Sequence, residues 1–149
     1  MRAVLQRVAD ASVSVDGAVV GRIGRGILAL IAISRLDSRE DLEWMAKKIV
    51  ELRIFDDSEG KLNLSLQDTG GQLLVVSQFT LYGDCGKGRR PSYSDAAPPA
   101  AAEQLYNQFI EIIRRRIPDV QTGQFKAMMD VTITNSGPVT LILDSPREN

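Results

Sequence analysis

The sequence predicts one compact α/β domain over residues 1–149, with a mixed or antiparallel, barrel-like sheet and two main helices. Three observations lead there. Strand-like alternation and tight turns dominate the first third of the chain. Two stripes of apolar residues recur at helical spacing. Two short apolar runs, Ile27 to Ile33 and Leu73 to Val76, have the length and composition of strands covered on both faces.

Ala11, Val13 and Val15 alternate with Ser12, Ser14 and Asp16, a period of two. Asp16-Gly17 is a favoured hairpin turn, and a return strand follows over Ala18 to Ile23. Gly24-Arg25-Gly26 turns the chain into the apolar run ending at Ile33. A helix starts near Asp37-Ser38, where Asp37 and Glu40 are spaced as a capping box and Ser38 is an alternative cap. Leu42, Met45, Ile49 and Leu52 form its apolar face, and Trp44 lies off that stripe. Residues 55–71 read as turns around the short piece Leu62 to Leu66. The acidic cluster Asp56, Asp57 and Glu59 lacks the spacing of a calcium loop. After the Leu73 strand comes a loop from Cys85 to Ala97. Pro98-Pro99 opens a second helix, with Leu105, Phe109, Ile112, Ile113 and Ile117 on one face and Arg114 to Arg116 at its end. Two further strands are expected at Val131 to Thr134 and Val139 to Leu143. Gly137-Pro138 would form a shaped turn between them, and its X-Pro bond is one that can adopt cis. Regular parallel β-α-β winding is not expected, because hairpins dominate the start.

Composition narrows the function. A net charge of −1 argues against a protein that coats DNA or RNA by charge alone. No apolar run approaches the roughly 20 residues of a membrane span. Charge at Arg2 and Arg7 interrupts what would be the apolar core of an export signal. The single Cys85 cannot form an internal disulfide, which fits the cytoplasm. The chain has no histidine. That removes Ser-His-Asp and Cys-His catalysis and the usual zinc sites, so no metal or cofactor is expected.

Two stretches can still carry chemistry. A buried strand running into Ser77-Gln78-Phe79-Thr80 places polar groups and unpaired backbone N–H groups at a sheet rim, where they can face an oxyanion. Ser77 or Thr80 could act as a nucleophile only with activation by a lysine or by a carboxylate such as Asp84. An ordinary strand end with local hydrogen bonds explains the same residues. Lys87, Arg89 and Arg90 follow a few residues later, a cationic loop suited to phosphates, with Tyr93 as a stacking surface. Standing alone, it reads as a solvated basic loop, as Gly137-Pro138 reads as a connector.

Together, Ser77-Gln78-Phe79-Thr80-Leu81 and Asn135-Ser136-Gly137-Pro138-Val139-Thr140 resemble the two signature motifs of the D-aminoacyl-tRNA deacylases. Met1 to Val8, Lys87 to Ser92, Thr122 to Phe125 and Leu143 to Ser145 are similar to family positions as well. The resemblance implies a homodimeric ester hydrolase acting on D-aminoacyl-tRNA and glycyl-tRNA, with no membrane or DNA partner. It gives Ser77, Gln78, Phe79 and Thr80 to the catalytic wall, and Gly137 and Pro138 to chiral selection. A cis Gly-Pro step would reach into the other subunit, its carbonyl groups holding the substrate's amino group. It implies tRNA contacts at Lys87, Arg89 and Arg90, and activation of water with help from the tRNA's terminal 2′-hydroxyl. An alternative is a dimeric tRNA-binding module without catalysis. Three departures stand out: Ser136 where the family often has aspartate, Lys126 where glycine is common, and the residues at Gly83 and Cys85.

Overall fold

The computed structural model describes residues 1–147. Its elements are β1 (Arg2–Val15), β2 (Ala18–Ile23), β3 (Gly26–Ala32), α1 (Arg39–Glu51), β4 (Phe55–Asp56), β5 (Leu62–Leu64), α2 (Leu66–Thr69), β6 (Gln72–Ser77), α3 (Pro99–Arg114), β7 (Gln121–Thr122) and β8 (Asp130–Asp144). A 3-10 turn over Phe79–Tyr82 follows β6. The domain is therefore mixed α/β, with a short α2 beside the two expected helices.

The main sheet has the order β2-β1-β3-β6-β7, and β8 pairs with the other side of β1. β1 is the spine. Its first half pairs with β3 and its second half with β2, while β8 runs antiparallel along nearly all of it. The hairpin β1–β2 forms because Asp16 and Gly17 both take positive φ, 50° and 79°, the geometry whose twist matches the flanking strands. β3 and β6 are parallel, as are β6 and β7. A parallel crossover through α1 was not expected from the hairpin-rich start, because that pairing joins segments far apart in sequence.

The sheet curls until β2 approaches β7. A Cβ on Gly21 would lie 2.7 Å from the Thr122 carbonyl oxygen, so glycine permits the near-closure. Alternation then divides the apolar residues. Leu74 and Val76 join Val8, Val13, Ile23 and Leu28 inside the curl. Leu73 and Val75 face outward and pack with Leu42, Met45, Ile49, Phe109 and Ile113 of α1 and α3. Each such side chain contributes roughly 1.5–3 kcal/mol when fully buried. Covering both faces explains why β3 and β6 read as continuous apolar runs.

Two local expectations are corrected. The cap of α1 is Ser38, whose N–H donates to Asp41 at 2.8 Å, rather than the pair Asp37 and Glu40. Asp37 instead accepts the Ser34 N–H at 2.7 Å and pairs with the Met1 ammonium. Gly137-Pro138 is not a turn between two strands. It lies within the continuous β8, opposite a break in register where Gln6 pairs with Thr140 and Val8 with Asn135. Ser136 through Val139 oppose Arg7 alone, so the segment bulges and the strand resumes in the same direction.

Candidate active site and nucleic-acid interface

β6 ends at Ser77, beside Ile31 of β3. The Gln78 N–H still reaches the Ile31 carbonyl at 2.7 Å, and the chain then tightens into the 3-10 turn. Its first bond runs from the Leu81 N–H to the Gln78 carbonyl, at 3.2 Å. The N–H groups of Phe79 and Thr80 precede that bond and have no acceptor among the described residues. Both residues line a cleft of about 570 Å³ whose walls also include Ser77, Gln78, Phe125 and Met129. A strand end thus places two residues with free backbone N–H groups in the wall of a concave surface, where such donors can hold an oxyanion.

The side chains argue against a hydroxyl nucleophile. The Gln78 amide nitrogen donates to Thr80 Oγ1, and no carboxylate or amine contacts that oxygen among the described residues. Asp84 is occupied elsewhere. Its Oδ1 accepts the Gly86 N–H at 2.9 Å, and its backbone bridges Ser92. Burial pushes the Tyr82 phenol up to about 12, so it stays neutral at ordinary pH. Among the described residues no group of three or more His, Cys, Asp or Glu comes together as a metal site.

The Asp84–Ser92 bridge closes the base of the cationic loop, with backbone bonds of 2.7 and 2.9 Å. Lys87, Arg89 and Arg90 are all exposed, and none forms an ion pair among the described residues. Tyr93 packs edge-on against Phe79, ring centroids 5.1 Å apart, and so ties the loop to the cleft wall. Cys85 is exposed, with only a long 3.9 Å contact to the Gly83 carbonyl. A larger groove of about 790 Å³ runs beside α3, but Glu103 and Glu111 on its lining make it a poor phosphate track.

Gly137 and Pro138 lie elsewhere. The peptide bond between them is cis, and both residues are exposed. They bulge opposite Arg7, in the row of Ile27 and Leu73, whereas Ser77 lies at the far end of β6 beside Ile31. The two sequence motifs therefore do not meet within one chain.

Two residues that the sequence reading gave no role hold this bulge. Arg7 donates from Nε to the Ser136 carbonyl at 3.1 Å and from Nη1 to the Ile54 carbonyl at 3.0 Å, with Asp56 3.5 Å away. Asn135 donates from Nδ2 to the Arg7 and Val139 carbonyls. The available signal was a lone charge at Arg7 between Leu5 and Val8. Lys126, in the turn that forms the cleft's other wall, takes a left-handed φ of 64°, a conformation that glycine adopts without a Cβ penalty.

The family model described as D-Tyr-tRNA(Tyr) deacylase matches residues 4–144. A D-aminoacyl-tRNA deacylase of Clostridium acetobutylicum is 57% identical over 147 residues, 99% of this chain and 99% of that protein. Another, of Bacillus velezensis, is 59% identical over 145 residues, 97% of this chain and 99% of that protein. A solved structure described as a c-Myc DNA Unwinding Element Binding Protein is similar with a TM-score of 0.93 at 45% identity, covering 99% of this chain and 100% of that one. A probable eukaryotic D-amino acid tRNA deacylase shares the fold with a TM-score of 0.80 at 22% identity, over 95% and 97% of the two chains.

Proposed function

Because the chain belongs to the D-Tyr-tRNA(Tyr) deacylase family, an enzyme family of hydrolases, we propose that it cleaves the ester between a D-amino acid and the terminal adenosine of a tRNA. The observation that carries this is the cleft at the end of β6, with two free backbone donors and an unpaired cationic loop tied to its wall.

The terminal aminoacyl-adenosine enters the cleft and the acceptor-end phosphates lie along Lys87, Arg89 and Arg90. Water adds to the ester carbonyl, and the developing oxyanion is held by the N–H groups of Phe79 and Thr80. The C–O bond to the ribose breaks and the ribose oxygen takes a proton. The neighbouring 2′-hydroxyl of the tRNA activates the attacking water and relays its proton to the leaving ribose oxygen, so positioning replaces a side-chain base. No cofactor enters the reaction.

Chirality is read by a second copy of the chain. Gly137 and Pro138 are exposed and distant from their own cleft, which suits a homodimer in which each protomer offers them to its partner's cleft. Their carbonyl groups hold the substrate ammonium, and an L side chain would collide with them. Exclusion of this kind leaves D side chains unread and accepts glycine. Among the described residues no helix is long and apolar enough to cross a membrane; we place the enzyme in the cytoplasm with its tRNA.

The deciding experiment compares hydrolysis of matched D- and L-aminoacyl-tRNAs. Cleavage of the D ester alone is expected. Equal rates on both esters, or none on the D ester, would sink the reading. A second reading, a nucleic-acid-binding module without catalysis, draws on the name of the similar DNA-element-binding protein. It predicts tight binding of tRNA or duplex DNA with no ester cleavage. The net charge of −1 disfavours the duplex form, and we expect no DNA partner.

A further inference from the structure

Asn135 spends its amide on the bulge. One Nδ2 hydrogen goes to the Arg7 carbonyl at 3.0 Å, across to β1, and the other to the Val139 carbonyl at 3.1 Å, on the far side of Gly137-Pro138 in the chain. Both donors of the amide are thereby used. The opposite end, Oδ1, receives the Thr140 hydroxyl at 3.4 Å, and Gln6 Nε2 approaches that hydroxyl at 3.5 Å. The two carbonyls, which only accept, fix the NH2 end of the amide toward themselves, and the longer Thr140 contact holds the opposite end weakly.

The position matters because the ladder fails there. Ser136 through Val139 face only Arg7, so the backbone pairing that fixes the rest of β8 is missing over the segment that carries Gly137 and Pro138. Arg7 restrains it from the Ser136 carbonyl. Asn135 is what joins the start of the bulge to its end. The side chain sits on the strand side of the segment, bonded to backbone, while Gly137 and Pro138 are exposed.

We infer that Asn135 is a positioning residue for chiral selection. Its carboxamide closes the bulge into a rigid loop and so sets the direction of the Gly137 and Pro138 carbonyls, without touching substrate. The inference rests on the proposed deacylase reading of those carbonyls. A merely structural asparagine would cost stability when removed and leave selectivity intact. A positioning asparagine changes the discrimination between enantiomers in protein that is still folded.

The test uses full-length Asn135→Ala and Asn135→Asp, with matched D- and L-aminoacyl-tRNAs and a circular dichroism check of folding. Aspartate keeps the shape but presents acceptors to two carbonyls. For both variants the ratio of kcat/KM for the D ester over the L ester should fall by about tenfold or more, carried by kcat, with KM for tRNA within about twofold. Thr140→Val leaves the amide but removes the hydroxyl that bonds its oxygen; it guards against misfolding of the first two and should lower the ratio by roughly two- to fivefold. Unchanged ratios in folded Asn135 variants, or in Thr140→Val should those not fold, would overturn the inference. Wild-type protein that cannot cleave the D ester would instead overturn the functional reading beneath it, so the two failures are distinguishable.

Discussion

Arg7 and Ser136 are joined by a single hydrogen bond, from the guanidinium Nε to the carbonyl oxygen at 3.1 Å, and the same fork reaches the Ile54 carbonyl at 3.0 Å. The Arg7 side chain is 12% exposed, so water competes poorly for these bonds. Arg7→Lys keeps the charge but cannot span both carbonyls. It should lower stability by about 1.5–3 kcal/mol in urea titration and reduce D-aminoacyl-tRNA hydrolysis. Wild-type stability with wild-type activity would show that the bulge stands without the fork.

Gly137 has φ +121°, and a Cβ there would lie 2.9 Å from Arg7 Nη2 and 3.0 Å from Val139 Cγ2. Gly137→Ala should cost about 1–3 kcal/mol by thermal unfolding and impair activity severely. Ser136→Ala next to it removes a hydroxyl that makes no hydrogen bond among the described residues and should be mild. Equal tolerance at both positions would count against a shaped selector.

Thr80→Ala should retain activity within about tenfold. The hydroxyl faces an amide donor from Gln78 and no base, so it has nothing to give its proton to. Single-turnover assays measure this directly. A complete loss in folded protein would restore the threonine as nucleophile.

The Lys126 backbone is strained and the strain is removable. Lys126→Gly should raise stability by about 0.5–1 kcal/mol, the relief of a left-handed non-glycine residue less the added freedom of the unfolded glycine. A fall in melting temperature would mean that the lysine side chain makes contacts worth more than the strain.

Tyr106 donates to the Val75 carbonyl at 3.2 Å beneath α3, and burial raises its pKa above the ordinary 10.0. A folded-state pKa raised above the unfolded one means the contribution is whole below pH 10 and is lost as pH rises beyond it. Tyr106→Phe should cost about 1 kcal/mol at pH 7 and lessen the alkaline fall in stability between pH 10 and 12. An unaltered alkaline limb would place that loss elsewhere, with Tyr82 the next residue to test.

Local chemistry made much of this fold legible. Ala18–Ile23 follows from the Asp16-Gly17 turn before it, and α1 and α3 follow from their apolar stripes. The strand ending at Ser77 and its cationic loop were visible for the same reason. What escaped was non-local. The parallel pairing of β3 with β6 leaves no periodic trace, and β7 is too short to have one. Pro138 lacks an N–H and therefore looks like a break, yet the ladder resumes beyond it because Asn135 and Arg7 supply the missing bonds from side chains. Their partners lie 128 and 129 residues away, beyond any sequence window.

That separation has a consequence in time. Closing contacts so distant in the chain is entropically slow, whereas the β1–β2 hairpin and the helices need only near neighbours. The cleft wall from Ser77 to Thr80 comes from mid-chain, but the Gly137-Pro138 bulge takes shape only after the first long strand has captured the last. A nascent or partly opened molecule can therefore present the hydrolytic wall before it has any means of discrimination. If the site is completed by a second chain, as proposed, such immature molecules stay silent.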